Sequence, residues 1–262
     1  MNATAKVMKF ELYDLARSKW LLFYSLFFFL ITDALFRFGE GGVKVILSVM
    51  NVVLFVIPLV SIVFGVIFYY NSREFQTLLL TQPLERKALF KGMYLGVASP
   101  LVAAFLIGTS LPFLVHNAVS ENLSVLLTLL LAGGALTLTF VSLAFWVATT
   151  FDEKIKSFGF AILLWLFLAV IFDGLVLLFA FIFADYPLEK GMIAVSLMNP
   201  IDLARIMLLM QTDYSALMGY TGAIFNKFFG GNWGIVAAGS FMVFWTLLPL
   251  ARAMKKFGRK DM

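Results

Sequence analysis

Long apolar stretches recur along the whole chain and constrain its fold more than any other feature. Several exceed 18 residues, the length that an α-helix needs to cross a hydrocarbon core of about 30 Å. Segments such as Leu21–Leu30 lack the alternation of apolar and polar residues that is typical of transmembrane β-strands. Charged residues make up 13% of the chain, whereas soluble domains carry about 25%. The sequence therefore predicts an all-α polytopic membrane protein.

Six stretches are long and apolar enough to span a bilayer, with short connections between most of them. The predicted spans are Trp20–Phe36, Val45–Tyr70, Met93–Val115, Leu123–Thr150, Phe158–Ala184 and Trp233–Leu250. The second, fourth and fifth are longer than a span needs, so we expect tilting, or breaks at Pro58 and at Gly133–Gly134. Residues 20–250 thus form one transmembrane domain.

Lysine and arginine are distributed unevenly between the two sides of these spans. With the N-terminus inside, five of the 20 fall in outer segments, namely Arg37, Lys44, Lys190, Arg205 and Lys227. The inner segments hold the other fifteen, which are Lys6, Lys9, Arg17, Lys19, Arg73, Arg86, Lys87, Lys91, Lys154, Lys156, Arg252, Lys255, Lys256, Arg259 and Lys260. Because cytoplasmic loops carry the excess of basic residues, we expect both termini to be cytoplasmic. The basic balance reflects this bias and does not indicate nucleic-acid binding.

A polar segment, Asn71–Gly92, interrupts the apolar runs between the second and third spans. It has helical spacing in Phe75, Leu78, Leu79 and Gln82, followed by a break at Pro83. An ordinary solvated loop would explain its charges, but the apolar face favours a short helix that contacts a soluble cytoplasmic partner.

The two ends of the chain are polar as well. Residues 1–19 are expected to form an amphipathic helix in the membrane interface, with Met8 and Leu12 on its apolar face. Residues 251–262 form a basic tail.

The outer segment 185–232 is too long for a bare loop in a compact protein. Asn199-Pro200-Ile201-Asp202 predicts a helix start, and Leu203, Ile206, Met207 and Met210 follow at helical spacing. A second helical pattern covers Ala216–Phe229. We expect short helices that lie on the outer leaflet or pack on the bundle and form an outward platform.

This arrangement resembles the permease subunit of ABC-2 type transporters. Glu74, Thr77, Leu78-Leu79-Leu80, Pro83 and Arg86-Lys87 match the family's motif between spans two and three, whereas Gln76 stands where the family has a small residue. The resemblance implies that segment 71–92 is a coupling helix that docks on a cytoplasmic ATPase. The residues expected to couple are Arg73, Glu74, Phe75, Thr77, Leu78, Gln82, Pro83 and Arg86.

Within the family the chain is similar to the NosY group, through Met198–Arg205, Ser215–Ala223 and the 71–83 segment. That group is associated with maturation of the copper enzyme nitrous-oxide reductase. The resemblance implies a homodimer in the bacterial inner membrane, two ATPase copies that hold ATP and Mg, and a periplasmic accessory protein. The residues expected to form the platform for this partner are Asn199, Asp202, Arg205 and Tyr220.

Three further polar residues fall in or beside spans. Asp173 lies near the middle of the fifth span, where a carboxylate needs a partner group or water, so a structural hydrogen bond and a transport role both stay open. Asp33 is expected to pair with Arg37 one turn later. His116, the only histidine, ends the third span, and one histidine in a chain without cysteine does not predict a metal site.

Three classes of function are compatible with a membrane protein of this kind. The chain has no GxxxxGK[ST] phosphate loop and no clustered nucleophile or ligand set, which argues against an ATPase or an intramembrane hydrolase. The leading hypothesis is a permease that couples a partner ATPase to transport or mechanical signalling. The alternatives are a membrane anchor for an extracytoplasmic assembly without cargo passage, or an exporter of another cargo such as lipid or glycan.

Overall fold

The computed structural model describes residues 4, 7–9, 12, 18–39, 42–80, 85–183, 189–211 and 231–259. The helices in these ranges are α1 (Lys19–Phe38), α2 (Gly42–Asn71), α3 (Arg73–Leu80), α4 (Arg86–Val115), α5 (Val119–Thr150), α6 (Lys154–Leu166), α7 (Phe172–Ile182), α8 (Glu189–Ser196), α9 (Pro200–Met210) and α10 (Gly231–Arg259). The described residues contain no strand, and six of their helical stretches are long and apolar enough to cross a membrane. The predicted all-α polytopic architecture is confirmed.

The third and sixth spans are longer helices than their apolar runs. Helix α4 begins at Arg86, ahead of the predicted start at Met93, and α10 continues beyond Leu250 to Arg259. Lysine and arginine are good helix formers, so the backbone stays helical after the apolar run has ended. Residues 251–259 are therefore part of α10.

Helices α2 and α5 form the centre of the bundle, with α4 and α10 packed on α5 and α1 packed on α4. Large side chains such as Phe28, Phe105, Phe140 and Phe145 are fully buried between these helices. Helix α1, the α6–α7 stretch and α10 bury far less of their apolar surface. Because lipid tails solvate apolar side chains, these outer helices can face the bilayer.

The α2–α5 contact depends on a glycine. A Cβ atom built at Gly65 would lie 2.6 Å from the Cβ of Ala144, which is closer than van der Waals contact allows. Small residues of this kind let two helix backbones approach closely in a membrane, where dispersion and close packing hold helices together.

The expected helix breaks are absent at both positions. Pro58 lies inside the continuous α2, and Gly133–Gly134 lies inside the continuous α5. The interruption occurs instead in the fifth span, where residues Phe167–Ile171 form a π-helical turn between α6 and α7. No proline lies in this turn, and the carbonyl of Leu168 within it accepts a hydrogen bond from Asn199 Nδ2 at 2.9 Å.

The segment 189–211 folds into the bundle. Helix α9 begins at Pro200 as predicted, with the Asn199 side chain accepting from the Ile201 amide at 3.0 Å. The carbonyl of Leu197 accepts from Trp245 Nε1 at 3.0 Å, and Trp245 is the central residue of α10. The α8–α9 hairpin therefore reaches the middle of α10. Of the two placements expected from the sequence, on the outer leaflet or packed on the bundle, the structure shows the second.

We predict that Gly65→Ala will destabilise the protein by about 1–3 kcal/mol, because the added methyl overpacks the α2–α5 contact. Thermal unfolding in detergent measures this effect. Gly134→Ala is the matched control, since its Cβ would meet only Val102 Cγ1 at 3.7 Å. Equal unfolding temperatures for the two variants would contradict the assigned role of Gly65.

Candidate functional site

Helix α3 lies at the end of the bundle where α2, α5 and α10 finish and α4 and α6 begin; we call this the polar end. The Arg73 guanidinium lies 4.3 Å from the centre of the Tyr70 ring, a cation–π contact that fixes the start of α3. Thr77 Oγ1 donates to the carbonyl of Arg73 at 3.0 Å. Glu74, Thr77 and Leu78 are exposed and Phe75 is half-buried. The exposed face of α3 is thus available to a soluble partner.

Gln76, the residue that departs from the family motif, points inward. Its side chain is fully buried and Nε2 donates to the carbonyl of Tyr69 at 3.0 Å. Its backbone amide also donates to the carbonyl of Ser72 at 2.8 Å, across the junction between α2 and α3. Gln76 therefore anchors α3 to the end of α2, which a small residue in its place would not do.

Tyr70 connects the base of α3 to the loop between α5 and α6. Its hydroxyl donates to the carbonyl of Phe151 at 2.8 Å and lies 3.3 Å from that of Glu153. Lys154 Nζ donates to Asn71 Oδ1 at 3.0 Å beside it. Two side-chain contacts therefore hold this loop and the end of α2 together.

The start of α4 and the end of α10 complete the polar end. Arg86 Nη1 donates to the carbonyl of Gly258 at 3.3 Å, and the rings of Phe90 and Phe257 pack with centres 5.3 Å apart. Phe257 is 1% exposed although it lies among charged residues near the end of α10. The α3–α4 region, the loop between α5 and α6 and the end of α10 thus form one surface at the polar end.

The N-terminal segment packs beneath this surface. Thr4, Val7–Lys9 and Leu12 of the predicted 1–19 helix are helical, whereas Ser18 is extended, so the predicted helix does not reach its expected end; Val7 is buried. A Cβ atom at Gly92 would lie 2.7 Å from Val7 Cβ, so the two elements touch directly. The apolar face predicted from the sequence did not include Val7, whereas Leu12, which it did include, is exposed.

Positive charge dominates the polar end. Basic residues are Arg73, Arg86, Lys87, Lys91, Lys154, Lys156, Arg252, Lys255, Lys256 and Arg259, and acidic residues are Glu74, Glu85, Asp152 and Glu153. Of the coupling residues, Gln82 and Pro83 lie outside the described residues, as does Tyr220 of the platform. The surface suits a partner whose facing rim is acidic.

Asp33 and His116 join α1 to α4 at the opposite end. Asp33 accepts from Arg37 Nε at 2.7 Å, which confirms the predicted ion pair. Asp33 Oδ1 also lies 2.9 Å from His116 Nε2, and the His116 ring stacks on Phe36. The Asp33–His116 contact therefore links α1 to the end of α4, and Arg37 pairs with Asp33 within α1.

Asp173 has a partner that the sequence did not predict. Arg205 Nη1 donates to Asp173 Oδ2 at 3.0 Å and to Asp202 Oδ1 at 2.9 Å, which ties α7 to α9. The Asn199 amide donates to the carbonyl of Leu168 in the π-helical turn at 2.9 Å. Asn199 and Asp202 are buried and Arg205 is half-buried, so the first two bind within the chain and offer no outward surface in this conformation.

Sequence reasoning missed Tyr70, Asn71 and Lys154. Their partners lie about 80 residues away along the chain. A tyrosine near the end of an apolar run is a usual sign of the membrane interface, which was the only signal available. No local sequence pattern predicts which residues Tyr70, Asn71 and Lys154 contact.

We predict that Tyr70→Phe will loosen the 151–153 loop without unfolding the bundle, at a cost of about 1 kcal/mol for the lost hydrogen bond. Hydrogen–deuterium exchange of peptides covering this loop should accelerate, while exchange in α2 and α5 stays unchanged. Unchanged exchange in the loop would show that the Tyr70 hydroxyl does not restrain it.

We predict that Arg205→Met will lower the unfolding temperature by roughly 5–10 °C, because two carboxylates then face each other without a cation. The triple variant D173N/D202N/R205M, which removes every charge of the cluster, should unfold closer to the wild type. A single variant as stable as the triple variant would refute this account of the cluster.

Comparisons with known proteins agree with this architecture. No family model matches the chain. The chain is 30% identical over 227 residues to a probable ABC transporter permease protein NosY of Pseudomonas aeruginosa, covering 80% of this chain and 82% of that protein. It is 25% identical over 224 residues to the protein of the same name from Stutzerimonas stutzeri, covering 79% and 81% of the two lengths. The chain belongs to the NosY family of ABC transporter permeases.

Proposed function

We propose that this permease couples an ABC ATPase on the cytoplasmic side to transport or mechanical signalling across the bacterial inner membrane. The observation that carries the proposal is α3, a short charged helix anchored to α2 through Gln76 and Arg73, whose outer face exposes Glu74 and Leu78. ATP hydrolysis belongs to the partner, which holds ATP and Mg. This chain supplies the docking surface and the moving helices.

The distribution of charge supports the orientation. Fifteen of the 20 lysines and arginines fall in the sequence segments predicted to lie on the same side as residues 71–92, and the basic side of a membrane protein faces the cytoplasm. Both termini are then cytoplasmic, and α10 begins on the periplasmic side.

Docking on α3 would transmit motion because the polar end is continuous with several spans. Tyr70 and Lys154 join the end of α2 to the start of α6, and Arg86 joins α4 to α10. A displacement of α3 by ATPase closure is therefore carried into the bundle as a largely rigid-body movement.

The interior of one copy favours a mechanical role over a wide polar conduit inside that copy. Fully buried phenylalanines fill the space between α1, α2, α4 and α5. A homodimer with two ATPase copies would place any cargo path between copies. A periplasmic accessory protein would then receive the movement at the far side.

The resemblance to the NosY group extends the proposal to maturation of the copper enzyme nitrous-oxide reductase. Export of another cargo, such as a lipid or glycan, and anchoring without cargo passage remain the competing functions. Cargo-dependent ATP hydrolysis in proteoliposomes, measured together with cargo uptake, separates these three.

We predict that Leu78→Asp will reduce both co-purification of the ATPase and stimulation of ATP hydrolysis by at least about tenfold. Leu78 is 68% exposed here, and in the complex the aspartate would place a charge in an interface from which water is excluded. Affinity purification of the tagged permease, co-expressed with its ATPase, measures both. Val115→Asp is the matched control, because Val115 is 66% exposed at the opposite end of α4. Intact assembly of the Leu78 variant would contradict docking through α3.

A further inference from the structure

A groove opens between α1 and α4 on the outside of the bundle. Its volume is about 460 Å³, within the roughly 300–1,000 Å³ that small-molecule sites occupy. Apolar side chains of α1 form one wall, among them Leu22 and Leu26, and Leu111 of α4 lies on the other side. Leu22 is 67% exposed and Leu26 is 48% exposed, so the described helices leave this wall open.

The two helices touch each other directly beside the groove. A Cβ atom built at Gly108 of α4 would collide with the carbonyl oxygen of Ser25 in α1, and both residues line the groove. Any side chain larger than glycine would therefore push α1 away from α4. The close contact fixes the distance between the two walls, so the groove has one shape.

The groove has the depth of one leaflet. It follows α1 from Lys19, the first residue of the helix, to Phe29, which is about 15 Å at 1.5 Å per residue. That length is half of a hydrocarbon core of about 30 Å. Since Lys19 lies at the cytoplasmic end of α1 in the proposed orientation, the groove faces the inner leaflet.

The cytoplasmic mouth of the groove carries a positive charge. Lys19 is exposed, and no ion pair joins it to another of the described residues. Trp20 beside it is 69% exposed, as is typical of a residue at the membrane interface. A lysine at this level attracts anionic lipid headgroups.

One polar side chain interrupts the apolar walls. Ser25 is half-buried in the groove, and its hydroxyl makes no hydrogen bond within the part of the chain that the structure describes. Inside a membrane a hydroxyl needs an acceptor from the protein or from a ligand. The ester carbonyl of a phospholipid, which lies below its phosphate, is an acceptor at the right side of Lys19.

We infer that this groove binds an anionic phospholipid of the inner leaflet, with its phosphate on Lys19 and one acyl chain along Leu22, Leu26 and Leu111. The inference goes beyond the proposed function and uses only the proposed orientation, because the site contains no residue of the ATPase-docking surface. The bound chain fills the space between α1 and α4. It thereby holds α1, which buries little of its own surface, against the rest of the bundle.

Photo-crosslinking tests which lipid occupies the groove. Phosphatidylglycerol and phosphatidylcholine that carry the same diazirine-labelled acyl chain are each incorporated into proteoliposomes with the full chain. After irradiation, we expect the anionic probe to label peptides that contain Leu22 and Leu26 about fivefold more than the zwitterionic probe does, since one basic residue near an anionic membrane surface contributes roughly that factor. Lys19→Gln should remove the difference and Lys19→Arg should keep it.

The matched control for the charge is Lys255→Gln, which removes another exposed lysine of the polar end and should leave the labelling unchanged. Equal labelling of wild-type α1 by the two probes would overturn the inference, because the groove would then contact lipid without selecting it. A Lys19→Gln variant that keeps the fivefold preference would overturn the assignment of the phosphate to Lys19.

A second measurement tests the groove through stability. Added phosphatidylglycerol should raise the unfolding temperature of the wild type in detergent, because a ligand that binds only the folded state stabilises it. Leu26→Trp fills the groove and should abolish this rise. Leu30→Trp is its control, since Leu30 is 54% exposed on the same helix but does not line the groove. An equal rise in both variants would overturn the inference.

A second copy of the chain is the competing occupant of the groove. Because the chain has no cysteine, a Leu26→Cys variant can form a disulfide only between copies. An efficient disulfide on oxidation in membranes, together with no lipid crosslink to α1, would assign the groove to a contact between copies and overturn the inference. Neither failure affects the docking of the ATPase on α3.

Discussion

Every backbone polar group inside a bilayer must find its partner within the protein, and this requirement explains the least regular parts of the structure. In the π-helical turn of the fifth span, the carbonyl of Leu168 accepts from Asn199. The re-entrant turn before α9 exposes the carbonyl of Leu197, which accepts from Trp245. At the end of α5, Tyr70 supplies the donor. At each of these three places a side chain from a distant segment bonds a backbone carbonyl, and these same side chains connect helices of the bundle.

Features that depend on local signals could be predicted from the sequence, whereas contacts between distant segments could not. Length and hydropathy predicted the six spans, and the Asn199-Pro200 cap predicted the start of α9, because both signals are local. The π-helical turn carries no local signal, and the pairing of Asp173 with Arg205 joins residues 32 positions apart. Arg205 was counted as an outer-segment charge because the re-entry of α8–α9 into the bundle depends on contacts rather than on composition.

The candidate site shows the same division. Helix α3 was predicted from its apolar spacing and its position before Pro83, and Gln76 looked like a departure from the family motif. The structure gives Gln76 an inward role at the α2–α3 junction. The loop between α5 and α6 gave no signal in the sequence, because its importance comes from the Tyr70 contact across about 80 residues. Local patterns therefore located the coupling helix but not the elements that make it part of a larger unit.

The central claim is that α3 and the 151–156 loop move as one body when the ATPase closes. Spin labels on a Leu78→Cys/Ile155→Cys variant, diluted with unlabelled copies, report the distance between these two positions by pulsed electron paramagnetic resonance. The account predicts the same distance distribution in the ATP-free and ATP-bound complexes. In a separate undiluted sample of the Leu78→Cys variant, the labels in two copies should change their separation. A distance between positions 78 and 155 that changes on ATP binding would contradict it.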